Sequence, residues 1–283
     1  NINRQIEYLK GGCHIVVATP GRFMDHVNRR TLQIKNITRV VLDEADEMLD
    51  MGFYKDVRRI LDLLKNKKQV LMFSATISRE VMDIGWLYQD DPEEVTVLPV
   101  EDSQPKITQY SLRTTGRNKV TDISQIMISQ GYKRAIVFCN TKYTTSVVCD
   151  ALCDRNFLAD CIHGDMSQKE RNQVMGDFRA DKFAVLVATD VAARGIDISD
   201  IEVVFNYDIP DSNDYYLHRI GRTGRAKRKG VAWSIIGNFP EKAKLDEIAK
   251  YSNYQVKPMI LAGDGTLTEE EVKPAAAPKR RFR

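Results

Sequence analysis

The sequence has no Gly-Lys dipeptide, so a phosphate-binding loop of the form GxxxxGK followed by Ser or Thr is written nowhere in it. It also has no CxxC pair. The five cysteines are Cys13, Cys139, Cys149, Cys153 and Cys161, an odd count, most of them in apolar surroundings. A disulfide scaffold is thereby excluded. Cys149 and Cys153 are spaced to share one helical face, but no histidine follows at a zinc-ligand spacing, and the set reads as buried, reduced thiols of a cytoplasmic protein. No apolar run approaches the ~18 residues of a membrane span. No basic-then-apolar segment opens the chain as a secretory signal would. An excess of one charge is missing too: 42 basic against 39 acidic side chains leave a net +3. A nucleic-acid partner would therefore be held by local Lys and Arg patches and not by the field of the whole molecule.

What is present is ordinary globular material. The chain has 283 residues, 43% of them hydrophobic and 29% charged, which suits two domains with sizeable cores. Near-continuous apolar runs at 15–18, 39–42 and 70–73 read as strands buried on both faces of a parallel sheet. Val57, Ile60, Leu61 and Leu64 stand at helical spacing between them. After Asp90-Asp91-Pro92 and a short strand at 95–98, residues 99–106 read as a linker. The alternation then resumes, with strands expected at 135–139, 159–162, 184–188, 203–207 and 232–236 and helices at 144–155, 168–179 and 241–251. Such alternation implies βαβ units. Residues 263–283, ending Lys279-Arg280-Arg281-Phe282-Arg283, read as a disordered basic tail. The first residue is Asn1, within one or two residues of an expected helix at 3–10 that stops at Gly11-Gly12, so the sequence reads as one whose beginning has been cut off.

Three clusters carry chemistry. Asp43, Glu44 and Asp46 lie just past an apolar strand, at the sheet edge where ligands of open α/β folds bind. Hydrolysis of a nucleoside triphosphate needs a carboxylate for Mg²⁺ and a second group to orient water, and Asp43 and Glu44 could divide those tasks. Ser74 and Thr76 add hydroxyls after the next strand. His218-Arg219-Ile220-Gly221-Arg222-Thr223-Gly224-Arg225 packs three arginines and a histidine into eight residues. Arg222 and Arg225 could point together at a triphosphate, as guanidinium forks do. A solvated basic face gains nothing from the glycines between them.

In this order and spacing, Asp43-Glu44-Ala45-Asp46, Ser74-Ala75-Thr76, the run from Ala188 through Arg194-Gly195-Ile196-Asp197 and the octet from His218 resemble the DEAD-box RNA helicases. Gly11-Gly12, Thr19-Pro20-Gly21-Arg22, Phe138-Cys139-Asn140-Thr141 and His163-Gly164-Asp165-Met166 match as well, so the resemblance covers about residues 8 to 260. It implies an α/β protein of two RecA-like domains with mainly parallel sheets, the first incomplete at 1–98 and the second at 107–262. ATP and Mg²⁺ are the implied cofactors. Asp43 would hold the metal, Glu44 would position the attacking water, and Asp46, Ser74, Thr76 and His218 would couple the domains. Arg222 and Arg225 would reach the γ-phosphate and Asp197 the ribose. RNA, as a single strand or short duplex bound without sequence preference, would lie on Gly11, Gly12, Thr19, Pro20, Gly21, Arg22, Asn140, Thr141, Gly164 and Thr189.

The family's phosphate loop and adenine-recognition segment are missing from the sequence. The expectation is therefore an ATP-dependent RNA helicase whose complete chain unwinds short duplexes or remodels ribonucleoprotein, and a cytoplasmic protein without membrane contact. The chain as written is expected to be inactive. The alternatives are an RNA-binding protein without turnover and a DNA-directed relative in the same superfamily.

Overall fold

The computed structural model describes residues 1–96, 107–193, 201–224, 229–252 and 254–270. The expected linker at 99–106, Asp197, Arg225 and the tail from residue 271 lie outside them. The chain divides into two compact units, 1–98 and 99–283.

In the first unit, two short strands, β1 (Arg39–Leu42) and β2 (Gln69–Met72), pair in parallel, Arg39 opposite Gln69. The helices are α1 (Ile2–Lys10), α2 (Pro20–Asn28), α3 (Ala45–Met48), α4 (Tyr54–Leu63) and α5 (Arg79–Tyr88). One face of the pair is covered: Leu42, Ala45, Leu49, Val57, Leu61, Val81 and Ile84 form a single buried cluster. The apolar spacing of α4 puts Val57 and Leu61 on its inner side. Full burial of such a side chain is worth ~1.5–3 kcal/mol. Residues 15–18 depart from expectation. They form no strand, and Ile15 and Val17 are 82% and 94% exposed. An apolar run becomes a strand only where a neighbour offers backbone partners, and residues 15–18 pair with no strand among the described residues. The strand expected at 95–98 is not formed at 95–96 either, and its remainder is not described.

The second unit is built on an eight-stranded sheet in the order β10-β9-β3-β8-β7-β4-β6-β5. Its strands are β3 (Ile107–Arg113), β4 (Ala135–Phe138), β5 (Ala159–Ile162), β6 (Val185–Ala188), β7 (Val203–Asn206), β8 (Gly230–Ile236), β9 (Val256–Leu261) and β10 (Leu267–Glu269). All neighbours pair in parallel except β9 and β10. Every residue of β4, β6 and β7 is buried, as strands covered on both faces must be.

The period of two then sorts the core. Val137, Val185, Val187, Val203, Phe205, Trp233 and Ile235 face α6 (Lys119–Gln130) and α7 (Lys142–Cys153), while Ile136, Phe138, Leu186, Ala188 and Val204 face α8 (Gln168–Arg179). On that second side α10 (Asn213–Ile220) and α11 (Phe239–Ser252) cover Ala232 and Ile236 of β8. Disorder does not begin at Gly263. Ala262 accepts from Gly265, Asp264 caps the N–H of Thr266, and β10 pairs back on β9 through Glu269.

Candidate functional site

In the first unit, the ends of β1 and β2 deliver the acidic and hydroxyl clusters to one place. The Phe73 N–H donates to Leu42 O at 2.8 Å and the Ala45 N–H to Phe73 O at 2.9 Å, so residues 43–46 fold over the end of β2. There Asp46, 5% exposed, is saturated. Its Oδ2 accepts from the Thr76 N–H at 2.7 Å and the Thr76 hydroxyl at 2.8 Å, and its Oδ1 from the Glu47 N–H at 3.0 Å. Ser74 Oγ accepts the Asp46 N–H at 3.2 Å and donates to Thr76 O at 2.7 Å. Burial alone would raise the Asp46 pKa. The hydrogen bonds from Thr76, Glu47 and Ser74 outweigh it and hold the carboxyl below its ordinary value.

Asp43 and Glu44 are exposed. The Glu44 N–H donates to Asp43 Oδ1 at 3.0 Å. Glu44 itself sits in the left-handed region, φ 48° and ψ 50°, a conformation that costs a residue with a Cβ about 1–2 kcal/mol. Strained backbone at a carboxylate on a strand end is a common mark of a functional position. A hard oxygen donor facing solvent, with one oxygen in a single backbone hydrogen bond, fits Mg²⁺. The enclosed and saturated Asp46 does not.

The other first-unit residues lie on two helix ends. Gly11 ends α1 and Gly12 takes φ 80°. Thr19 is the extended residue before α2, Pro20 opens that helix, and Gly21 has open space beside it. Arg22 is paired with Asp25 at 3.4 Å. Buried His26 joins the two helices, with Nδ1 2.8 Å from Thr31 Oγ1 and Nε2 3.1 Å from Gln5 Oε1.

Because β4 to β7 are parallel, their carboxyl ends open on one edge of the second sheet and bring Asn140, Thr141, Gly164 and Thr189 to it. Thr141 caps α7, accepting the Thr144 N–H at 3.1 Å. The organiser of this edge is Arg219 of α10, 1% exposed. Its Nε and Nη2 reach Asp190 Oδ1 and Oδ2 at 2.6 and 2.7 Å, Nη1 reaches Asp208 O at 2.6 Å, and Nη2 also reaches Asn140 Oδ1 at 2.7 Å. Asn140 is fixed further by its Nδ2 on Ile209 O at 3.0 Å and its N–H on Asp208 Oδ2 at 3.0 Å. Arg219 and Asp190 fall within motifs of the sequence, but the sequence assigns neither a role. A signal was available: Tyr216, Arg219 and Ile220 share the buried side of α10, which a guanidinium enters only with partners.

His218 and Arg222 are half-buried, at the end of α10 and in the turn after it. That turn is pinned. Thr223 Oγ1 donates to Ile201 O at 2.6 Å, and Gly224 takes φ 73°. Gly230 packs so tightly here that a Cβ on it would lie 2.6 Å from Gly224 N.

The cysteines are all free. Cys139 and Cys149 are buried, Cys161 is half-buried, and Cys13 and Cys153 are exposed, so the expectation of wholly buried thiols is corrected for those two. No helix among the described residues is long and apolar enough to cross a membrane.

Two family profiles match: DEAD/DEAH box helicase over residues 1–84 and Helicase conserved C-terminal domain over 118–227. The DEAD-box ATP-dependent RNA helicase CshA of Bacillus cereus is 44% identical over 236 residues, which are 83% of this chain and 45% of that protein. The chain thus spans a little under half the length of that curated relative. Among solved structures, a DEAD box protein from Methanococcus jannaschii is 40% identical with a TM-score of 0.52, over 91% of this chain and 69% of that one. S. cerevisiae Dbp5 bound to RNA and ADP BeF3 is 31% identical with a TM-score of 0.75, over 86% and 65%. With both profiles matched in order, and with the acidic and arginine clusters standing at the strand ends and turn described above, the chain belongs to the DEAD-box RNA helicase family and its two units are RecA-like.

Proposed function

We propose that this chain carries the RNA-binding edge and the water-positioning and phosphate-sensing residues of an ATP-dependent RNA helicase, which couples ATP hydrolysis to local strand separation or ribonucleoprotein remodelling. The observation that supports this most is the pairing of a saturated Asp46 with an exposed, strained Glu44 two residues before it. A simple RNA binder has no use for a carboxylate held out in that way.

In this reading Asp43 is the residue that would hold Mg²⁺, whose bound charge offsets that of the phosphates. Glu44 orients the attacking water and accepts its proton. Asp46, with Ser74 and Thr76, links to His218 when the two units close on nucleotide, and Arg222 and Arg225 stabilise charge on the γ-phosphate. Asp197 takes the ribose. RNA lies along Gly11, Gly12, Thr19, Pro20, Gly21 and Arg22 of one unit and Asn140, Thr141, Gly164 and Thr189 of the other. These groups offer backbone amides and hydroxyls to sugar and phosphate, so binding is independent of sequence. Dbp5, a relative solved with RNA and an ADP–beryllium fluoride, supports the pairing of ligands. A cytoplasmic site of action belongs to the same proposal.

The test is RNA binding and RNA-stimulated ATP hydrolysis by this chain, with Glu44→Gln beside it. The expected result is salt-dependent binding of single-stranded RNA without turnover, since no phosphate loop is present in the sequence. Turnover abolished in Glu44→Gln would overturn the proposed inactivity and keep the catalytic roles. A folded chain that binds no RNA would overturn the reading.

A further inference from the structure

Away from these residues, the far end of α7 and the edge strand β5 bring sulfur atoms together. Cys149 Sγ, Cys161 Sγ and a carboxylate oxygen of Asp160 all lie within 4.8 Å of one another. Cys149 is buried on the inner side of α7 and Cys161 packs against the same cluster from β5. Among the described residues β5 is the edge strand of the sheet, and Cys161 is half-buried on it. Cys153, one turn beyond Cys149, is exposed and turned to Ala159 O at 3.5 Å.

We propose that Cys161 and Cys149 form a peroxide-reactive thiol pair that closes to a disulfide between α7 and β5. The two sulfurs are inequivalent. The Cys149 thiol is pushed up by its hydrogen bond to Cys161 and by burial, and that same bond pulls Cys161 down against the opposing effects of burial and of the Asp160 and Asp150 carboxylates. Cys161 is half-buried and Cys149 buried, so peroxide meets Cys161 as the nucleophile and Cys149 behind it is the resolving thiol.

The Cys161 thiolate attacks one oxygen of hydrogen peroxide. The O–O bond breaks, hydroxide leaves, and Cys161 becomes a sulfenic acid. Cys149 then attacks that sulfur, its proton goes to the departing hydroxyl, and one water is released as the S–S bond forms. Sulfur is oxidised by two electrons in total and peroxide reduced by two. The crosslink would fix the seam that Ser146 and His163 already bridge at 3.4 Å nearer the strand ends.

The experiment treats the full chain with hydrogen peroxide, blocks remaining thiols with a maleimide after denaturation, and maps the peptides. The expected result is the loss of two alkylatable thiols out of five, with a peptide pair joined through Cys149 and Cys161. Cys153→Ser should oxidise at the wild-type rate. Cys149→Ala should leave a Cys161 sulfenic acid that dimedone captures. In case Cys149→Ala does not fold, the wild-type map stands alone. A crosslink through Cys153, or stepwise over-oxidation of Cys161 with no linked peptide, would overturn the proposal. So would thiols that resist peroxide until a chelator strips zinc from them, since Asp160 and the two sulfurs would then be a metal site.

Discussion

Arg219 grips Asp190 in a two-point ion pair, with Nε 2.6 Å from Oδ1 and Nη2 2.7 Å from Oδ2, and the same guanidinium holds the Asn140 amide. One buried side chain thus fixes the residues that follow β4 and β6, which is where the RNA-binding edge is proposed. Lysine has the charge but not the fork and cannot serve Asp190, Asn140 and Asp208 O together. Arg219→Lys should destabilise the second unit by about 1–3 kcal/mol, the cost of leaving buried polar groups unsatisfied when the fork is lost. Trp233 is buried in that unit, so urea denaturation followed by its fluorescence in a Trp86→Phe background reads the effect. A loss below about 1 kcal/mol would mean the network tightens geometry without supporting the fold.

Gly230 opens β8 under the turn that carries Arg222. A Cβ there would come 2.7 Å from Thr223 Cγ2 and 2.6 Å from Gly224 N, and one of those atoms is backbone. Gly230→Ala should displace the turn and cost about 1–3 kcal/mol, the usual range for overpacking. Thr223→Val would lose the hydroxyl bonds to Ile201 O and Glu202 O while keeping its shape. If Gly230→Ala melts with the wild type, the close approach is relieved elsewhere.

How much of this was legible in the sequence depends on who supplies the partner. The runs that became β4, β6 and β7 were read correctly because each strand is buried between neighbours and needs apolar residues on both faces. The same rule failed at 15–18, where Val17 stands in solvent: an apolar run states that it wants burial, not that a neighbouring strand is at hand. β9 is not among the expected strands; it carries Pro258, and a proline argues against an inner strand. Asp43, Glu44 and Asp46 stand out as candidates from their position after an apolar run, whereas Ser74 and Thr76 carry weight only through the family resemblance. The partnership of Arg219 with Asp190 could not be read in either way, because it joins residues 29 apart through the fold.

Asp46 should make the first unit acid-sensitive. Its pKa lies below the ordinary 3.8, against the effect of burial, through bonds from Thr76, Glu47 and Ser74. A depressed carboxyl contributes stability that is complete above its unfolded pKa and is lost as pH falls through the folded one. Asp46→Asn cannot accept the Thr76 and Glu47 donors as an anion does. The stability gap between wild type and Asp46→Asn should therefore be constant from neutral pH to about 5 and shrink below 4. Hydrogen exchange of the α4 and α5 amides, mapped by peptide in both proteins across that range, measures it. A gap that widens on acidification would reverse the sign assigned to Asp46.

The carboxylate proposed to orient water stands on a strained backbone at Glu44. Its φ of 48° is comfortable for glycine, and the bonds it makes through its main chain, from its N–H to Asp43 Oδ1 at 3.0 Å and from the Met48 N–H to its carbonyl at 3.0 Å, need no side chain. Relief of the left-handed strain exceeds the added freedom of glycine in the unfolded chain by a modest margin. Glu44→Gly should therefore raise the stability of the first unit by about 0.5–1 kcal/mol. Glu44→Gln keeps the Cβ and should match the wild type within about 0.5 kcal/mol. Both lose the carboxylate, so both should be inactive in any longer form of the protein that turns over ATP. Equal stability of the glycine and glutamine variants would show that residue 44 relaxes out of the left-handed region in solution. Strain would then not be what holds this carboxylate toward solvent, whatever the variants do to activity.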